Sequence, residues 1–267
     1  MTHAARLAPT TAAPETFLTA LWTQTPEPPP ATGVPTWLWR LATTVHEQLP
    51  PPDADAWATR LHDLLRTAGA PAGLRAVHVW QANTVLPLLA ETTDTAVAAD
   101  PDRATDKTMS ADLHRSADTT VAATLHRAAA QGTPVDRDTW RSALHPVLLC
   151  LHEAAYDRAS AYAEGHAGAR DYAQANGYSA AEADAYGHEY ARLSSEANAR
   201  AFAETHAEAL GPALATAYAA DDCLAYADAY PGAQLRAVVR ATAARDDAPT
   251  VRRLAEGLLT ALTTPRP

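Results

Sequence analysis

Two short segments of the sequence place a glutamate two residues before a histidine. AYAEGHA contains Glu164 and His166, and AFAETHA, further along the chain, contains Glu204 and His206. Carboxylate and imidazole groups together are ligands for zinc, iron or manganese. Residues two apart on an α-helix point in different directions, however. We therefore expect that neither Glu-x-His pair chelates an ion by itself.

The two segments belong to a longer repeat, A-x-A-aromatic-A-E-x-H-A-x-A, at 159–169 and 199–209. In each copy an aromatic residue stands four positions before the histidine, as Tyr162 and Phe202 do. Residues four apart share a helix face, so each aromatic ring should pack against its histidine. We interpret the repeat as duplication or drift in alanine-rich sequence, with a paired metal site as the alternative.

Ligands for a metal can also come from two helices that meet. Asn176-Gly177 is typical of a helix end, and Ser179 begins an S-x-x-E capping box. These signals predict an antiparallel hairpin in which facing residues have numbers that sum to roughly 356. His152 would then face Glu204, and His166 would lie opposite Tyr190 and near His188.

Two sets of side chains are therefore candidate metal ligands. In the first, His152 meets two glutamates that are spaced i, i+4. In the second, Asp184 and His188, also i, i+4, meet a histidine from the first helix, with Tyr190 nearby. The alternative for each set is a histidine that is hydrogen-bonded or salt-bridged at a helix interface. The predicted metal ligands are His152, Glu204, Glu208, His166, Asp184 and His188.

Other chemical motifs are missing from the sequence. It contains no Gly-rich nucleotide fingerprint, no P-loop, no G-x-S-x-G and no H-E-x-x-H. Helical di-iron proteins use Glu-x-x-His pairs, and the hairpin has none. We assign no catalytic residue and predict no cofactor, with iron or manganese as the alternative.

The elements that carry these residues are predicted to be helices. Alanine takes many alternate positions between Ala159 and Ala229. A period of two is typical of strands, but alanine favours helix and disfavours strand. We therefore predict an all-α multi-helix bundle with a long Ala-rich antiparallel hairpin in its C-terminal half.

Three details of the helical half follow from the pattern. The stretch 136–176 should form one helix that bends at Pro146, and the second hairpin helix should end at Leu210, before Gly211-Pro212. On that second helix the larger residues should mark the buried face. The predicted buried face consists of these larger residues and of the alanines on the same side of the helix. Its members are Ala183, Tyr186, Tyr190, Leu193, Ala197, Ala201, Glu204 and Glu208.

The sequence divides into three predicted parts. Ten of the 20 prolines precede residue 53, and the first 35 residues are rich in Pro, Thr and Ala, so 1–35 should be a flexible arm. ETFLTALW is the exception, because Phe17 and Leu21 favour a short docking helix. An N-terminal helical subdomain at 36–131 and a C-terminal Ala-rich helical subdomain at 132–267 complete the division. A linker is expected around 92–103, and the VHVW run near Pro87 favours either a kinked helix or a strand.

Composition limits the partners and the compartment. The net charge of -10 and the absence of a Lys/Arg cluster with aromatics argue against nucleic acid. Two cysteines without CxxC spacing fit a reducing cytoplasm, and no segment is apolar enough for a membrane span. A single lysine, two phenylalanines and no isoleucine are typical of a high-GC bacterium.

These observations favour a cytoplasmic protein-protein interaction or regulatory module without catalytic activity of its own. Close-packing alanines, exposed acidic faces and tyrosines suit contact with another protein or with a second copy of the chain, so a homo-oligomer is one expected form. The alternative is a metal-dependent, di-iron-like helical-bundle enzyme that uses the His and Glu/Asp ligands of the hairpin.

Overall fold

A computed structural model describes residues 14–91, 106–242 and 247–265, without the side chains of 106–116. It confirms the all-α fold and the long hairpin, and these ranges contain no strand. A 3₁₀ turn occupies Pro30–Thr32 and a π-helix occupies Gln81–Val85. The α-helices are α1 (Pro14–Trp22), α2 (Thr36–Gln48), α3 (Pro51–Ala68), α4 (Arg75–Trp80), α5 (86–91), α6 (Asp106–Ala130), α7 (Arg137–Ala155), α8 (Arg158–Ala175), α9 (Ala180–Ala220), α10 (Cys223–Asp228), α11 (Pro231–Thr242) and α12 (Ala248–Thr263).

Within the predicted arm, the short docking helix expected at ETFLTALW is present as α1. Helix α1 packs on α2 and α3, and the side chains of Phe17 and Leu21 are fully buried. The Phe17 ring lies 5.6 Å from that of Trp39 in an edge-to-face contact. Burial of these two side chains offsets the entropy lost by ordering the Pro- and Thr-rich segment. Residues 1–13 of the predicted arm and the linker expected at 92–103 lie outside the described residues.

One hydrophobic core joins residues from both predicted subdomains. The indole of Trp57 donates to the carbonyl of Ala255 (3.0 Å), and that of Trp80 donates to the carbonyl of Leu254 (3.0 Å). These bonds pair the buried indole N–H groups of α3 and α4 with backbone carbonyls of α12. The C-terminal helix is thus held directly against α3 and α4.

Among the helices in the described ranges, none combines the length and the apolar character that a membrane span requires.

The VHVW segment is helical, and the irregularity expected around Pro87 is a π-helix. Residues 81–85 leave the regular α-helical hydrogen-bond pattern between α4 and α5. A proline ring in a regular helix collides with the carbonyl four residues earlier, which here belongs to Asn83. The π-helix lies just before the proline, where the regular pattern is interrupted. The chain therefore passes the proline as a helix and not as a strand.

The break between the first two hairpin segments lies at Tyr156–Asp157 and not at Pro146. Asp157 caps α8 by accepting hydrogen bonds from the backbone N–H and the hydroxyl of Ser160 (3.1 and 2.8 Å). Such a cap stabilises a new helix start. Pro146 stays inside α7. Because proline has no N–H, the carbonyl of Ser142 lacks its helical hydrogen-bond partner. Ser142 is exposed, so water can reach that carbonyl.

Helix α9 likewise does not end at Leu210. It continues through Pro212 to Ala220, over 41 residues, or about 60 Å. Pro212 has no backbone N–H, so the carbonyl of Glu208, four residues earlier, lacks its helical hydrogen-bond partner. Glu208 is exposed. The helix ends where Asp221 takes a left-handed backbone conformation (φ 50°) and Asp222 caps α10.

The buried face of α9 is a row of small residues, and the predicted face of larger residues is wrong. Tyr186, Tyr190, Leu193, Glu204 and Glu208 are all exposed. Small side chains are buried instead because they let α7 and α8 approach closely, whereas large ones would hold the helices apart. We call these residues the small-residue row: Ala183, Gly187, Ala191, Ser195, Ala199, Ala203, Ala207 and Gly211.

The hairpin register agrees with the prediction. A Cβ atom on Gly165 would lie 3.4 Å from the Cα of Ala191, and these residue numbers sum to 356. Along α7 and α8 the residues that recur at spacings of three and four are buried. They are Trp140, Leu144, Val147, Leu148, Leu151, Ala155, Ala169 and Ala173.

Enlarging the small-residue row should destabilise the protein. Ala191→Leu inserts three carbon atoms where α8 contacts α9, and overpacking of this kind costs about 1–3 kcal/mol. Ala197→Leu adds the same atoms at an exposed position of the same helix. We expect a lower denaturant midpoint by circular dichroism for the first variant only. Equal losses in both variants would show that the row is not closely packed.

Candidate functional site

A cluster of polar side chains joins α8 to the first half of α9. The Nε2 atom of His166 lies 3.1 Å from Oδ1 of Asp184, and Nε2 of His188 lies 3.4 Å from Oδ2 of the same carboxylate. The two imidazole rings are 4.3 Å apart. Each of the three residues offers one ligand atom, and these atoms lie within 4.8 Å of one another. Within the described ranges this is the only such group of three His, Cys, Asp or Glu residues.

The local structure explains why these side chains meet. Asp184 and His188 are one turn apart on α9, beside the small-residue row. The capping box of Ser179 and Glu182 fixes where α9 begins. Gly187 provides room for the opposing ring, because a Cβ there would lie 3.0 Å from both Cδ2 and the backbone oxygen of His166.

Tyr162 completes the cluster, and the sequence analysis missed it. Its hydroxyl lies 2.7 Å from Nδ1 of His188, so the two groups are hydrogen-bonded. The analysis assigned Tyr162 only to packing against His166, a contact that is confirmed at 6.4 Å between ring centres. Tyr190, expected near His166, instead lies on another face of α9, 6.4 Å from Tyr186. The rotation of α9 decides which tyrosine faces the histidines.

The other predicted ligand set is not brought together. His152 is buried against the rings of His206 (4.6 Å) and Phe202 (6.1 Å) and does not meet the two glutamates. Glu204 is exposed and pairs with Arg200 (2.8 Å), and Glu208 is exposed. The physical reason is the small-residue row, which turns these carboxylates toward solvent.

Each Glu-x-His pair is split between two environments, as predicted. Glu164 borders an exposed groove, whereas His166 contacts Asp184. In the second copy His206 packs against Phe202, with ring centres 4.1 Å apart, which confirms the expected aromatic contact. Burial is the main cause that lowers the pKa of His152 to about 4, and the nearby His206 contributes a smaller part of that decrease.

A second histidine cluster lies in the core, and no sequence pattern pairs its members. His78 on α4 and His126 on α6 are both buried and share a hydrogen bond between their Nδ1 atoms (2.9 Å). The rings of Trp140 and Tyr218 surround them at 4.8–5.6 Å. Burial lowers the pKa of His78 to about 4 and also lowers the pKa of His126, which His78 lowers further. Both rings are therefore neutral at pH 7 and serve as a hydrogen-bonded part of the core.

The cavity beside this cluster is small. Its volume is about 40 Å³, and it is bordered by aromatic, aliphatic and glutamine side chains, including His126, Tyr218, Tyr226 and Gln81. Small-molecule sites usually measure about 300–1,000 Å³. The cavity accommodates one or two water molecules and no larger ligand.

The buried histidines should make the protein less stable in mild acid. Because the folded-state pKa of His78 lies below its ordinary value of 6.5, the unfolded chain binds protons first as pH falls. Stability is retained above pH 6.5 and falls toward pH 4. Between pH 7 and 5, His78 alone should lower the free energy of unfolding by about 2 kcal/mol.

This pH effect can be assigned by substitution. In the double variant His78→Leu/His126→Leu, apolar groups of similar size replace both partners, so the decrease between pH 7 and 5 in urea melts should be smaller. His145→Gln, at an exposed position of α7, should keep the wild-type decrease. The same pH dependence in the double variant and the wild type would contradict the assignment.

Comparison of the chain with protein-family models, with curated proteins and with solved structures found no match.

Proposed function

We propose that the protein is a helical interaction module, without catalytic activity of its own, that binds another protein through the outer face of its hairpin. The observation that carries this proposal is a group of exposed aromatic side chains around α8 and the start of α9. Their exposed fractions range from 42% to 63%. We call them the tyrosine surface: Tyr172, Tyr178, Tyr186 and Tyr190.

The tyrosine surface is continuous and borders a groove. The rings of Tyr178 and Tyr186 are 6.3 Å apart, and those of Tyr186 and Tyr190 are 6.4 Å apart. A groove of about 360 Å³ runs between α8 and α9, bordered by three of the tyrosines, by Glu164 and by small residues. Gly168 contributes no side chain to this groove and leaves it open. Clustered exposed aromatics of this kind are typical of protein-binding surfaces.

The position of the hairpin supports binding at this face. In the described part of the chain α8 packs extensively only on α9, so its remaining surface has no other helix against it. Tyrosine is enriched among the residues that dominate binding energy, because it contributes a large contact area and one polar group. The surface therefore offers much contact area at a small entropic cost.

Charge indicates the chemistry of the partner. Glu164 borders the groove, and the whole chain has a net charge of -10, whereas exposed Asp171 pairs with Arg170 and Glu182 with Ser179. A segment that presents an arginine or lysine beside apolar side chains would complement both Glu164 and the tyrosine rings. The partner is another protein or a second copy of this chain, and the negative charge disfavours nucleic acid.

A metal-dependent enzyme remains the second candidate, and one observation favours it, namely the cluster of His166, Asp184 and His188. A di-iron site uses carboxylates from four helices together with two histidines. The cluster has one carboxylate and is contributed by two helices. It therefore supports binding of a single ion more directly than it supports di-iron catalysis.

A photo-crosslinking experiment tests the interaction proposal. A photoreactive phenylalanine analogue replaces Tyr186 in one protein and Tyr230, an exposed tyrosine between α10 and α11, in another. In the native host we expect a discrete crosslinked species from position 186 and none from position 230. Mass spectrometry of that species distinguishes another protein from a second copy of the chain.

Substitution gives the quantitative prediction. Tyr172→Ser/Tyr190→Ser should weaken crosslinking from position 186 by about ten-fold or more, because interface tyrosines often contribute about 2 kcal/mol. The same change should leave the thermal midpoint nearly unaltered, since both side chains are exposed. Tyr230→Ser is the matched control. Crosslinking that is equal at both positions, or unaffected by the double substitution, would refute the proposal.

A further inference from the structure

We propose that His166, Asp184 and His188 bind one divalent transition-metal ion, of the Zn²⁺ class, which connects α8 to α9. This proposal does not depend on the tyrosine surface, because the residues lie on the other side of the small-residue row. Its starting point is the spacing of the three side chains. Zinc binds nitrogen and oxygen ligands at about 2.0–2.2 Å with tetrahedral geometry, which places neighbouring ligand atoms about 3.3 Å apart.

Two of the observed distances are close to that spacing. Nε2 of His166 lies 3.1 Å from Oδ1 of Asp184, and Nε2 of His188 lies 3.4 Å from Oδ2 of the same carboxylate. The three ligand atoms together lie within 4.8 Å of one another, so binding of one ion requires the two imidazoles to move closer to a shared centre. The side chains of Asp184 and His188 are about half exposed, at 52% and 57%, so solvent can reach the centre and supply a water ligand.

Tyr162 positions one of the ligands. Metal-bound histidines usually hydrogen-bond through their second ring nitrogen, which fixes the ring and its tautomer. Here the hydroxyl of Tyr162 lies 2.7 Å from Nδ1 of His188. In the tautomer in which Nδ1–H donates to this hydroxyl, the lone pair of Nε2 faces Asp184 and is available to a metal ion bound by both groups.

The backbone holds the cluster in place before any ion binds. His166 comes from α8 and the other two residues from α9, and the two helices pack closely where Gly165 faces Ala191. The ring of His166 lies against Gly187, in a space that a larger residue would fill. Helix-borne ligands with restricted rings lose little entropy on binding an ion.

The donor set determines the class of ion. Two imidazoles and one carboxylate suit Zn²⁺, Co²⁺, Ni²⁺, Cu²⁺ or Fe²⁺, whereas Mg²⁺ and Ca²⁺ require mainly oxygen ligands. The cluster lies at the surface, without the enclosed, dry pocket that catalytic metal sites usually have. We therefore assign the ion a structural or regulatory role in holding the hairpin closed.

Metal titration of the full-length, untagged protein tests the proposal. Zn²⁺ is added in competition with a chromophoric chelator, and Co²⁺ is added with detection of its visible absorption bands. We expect one ion per chain, Co²⁺ bands typical of tetrahedral nitrogen and oxygen ligands, and a thermal midpoint that rises with Zn²⁺ because the ion binds the folded state.

Single substitutions assign the site. His166→Gln, Asp184→Asn and His188→Gln should each weaken binding by about ten-fold or more and remove the rise in midpoint. Glu204→Gln/Glu208→Gln, in the other ligand set that the sequence suggests, and His145→Gln are controls that should bind like the wild type. Tyr162→Phe should keep the 1:1 stoichiometry with an affinity about ten-fold lower, as expected of a positioning residue.

Several outcomes would overturn the assignment. A wild-type protein that binds neither ion above the level of the His188→Gln variant would show that the cluster is only a hydrogen-bonded network. Loss of binding in Glu204→Gln/Glu208→Gln alone would move the site to the other ligand set. Circular dichroism should confirm an unchanged helix content in each variant, which matters most for His166→Gln because that side chain is only 19% exposed.

Discussion

The close packing of small residues along α9 is the constraint on which the rest of the hairpin depends. A glycine, alanine or serine occupies every fourth position from Ala183 to Gly211, and all of them are buried. Four residues advance about 400° around a helix, so the row turns by about 40° at each step. A single straight helix would not follow such a row over its whole length. The chain instead covers its first part with α8 and its later part with α7, and it changes direction at Tyr156–Asp157.

The small-residue row also determines what its two flanks contain. Large side chains are excluded from the row and collect beside it. On one flank Asp184 and His188 follow row residues and meet α8 at His166. On the other flank Tyr186 and Tyr190 precede row residues and remain exposed. Further along that second flank Phe202 and His206 contact the ring of His152 of α7.

Sequence reasoning predicted the parts of this arrangement that depend on local signals. The Asn-Gly stop and the capping box fixed the turn, and the turn alone sets the register that brings His166 near His188. The buried face of α7 was predictable because its large residues recur at spacings of three and four. The break at Asp157 had a local signal as well, namely an aspartate three residues before a serine, but Pro146 was a more conspicuous candidate.

The rotation of α9 was not predictable from the same rules. Its alanines fill both the row and many exposed positions, so periodicity does not single out one face. The usual rule that large apolar residues are buried then selected Tyr186 and Tyr190, whereas close approach of two helices favours the smallest side chains. Because of that error, Glu204 and Glu208 were predicted to lie at an interface.

The His78–His126 pair was not predictable for another reason. Its members are 48 residues apart and come from different helices, and no local signal connects them.

The energetics of the outer hairpin connect the two proposals. Burying an alanine methyl group removes little apolar area from water, so each contact along the row contributes less than a leucine contact would. Helix α8 has no other extensive contact within the described residues, and these small increments must hold it on α9. A polar link between the two helices therefore has a larger relative effect here than in the Trp-rich core.

An ion bound by residues of both helices would oppose separation of α8 from α9 and thereby preserve the groove between them. Since the tyrosine surface consists of residues from α8, α9 and the turn between them, its geometry exists only while the hairpin is closed. Metal occupancy on one flank would then favour partner binding on the other through the stability of the hairpin, with no contact between the two ligands.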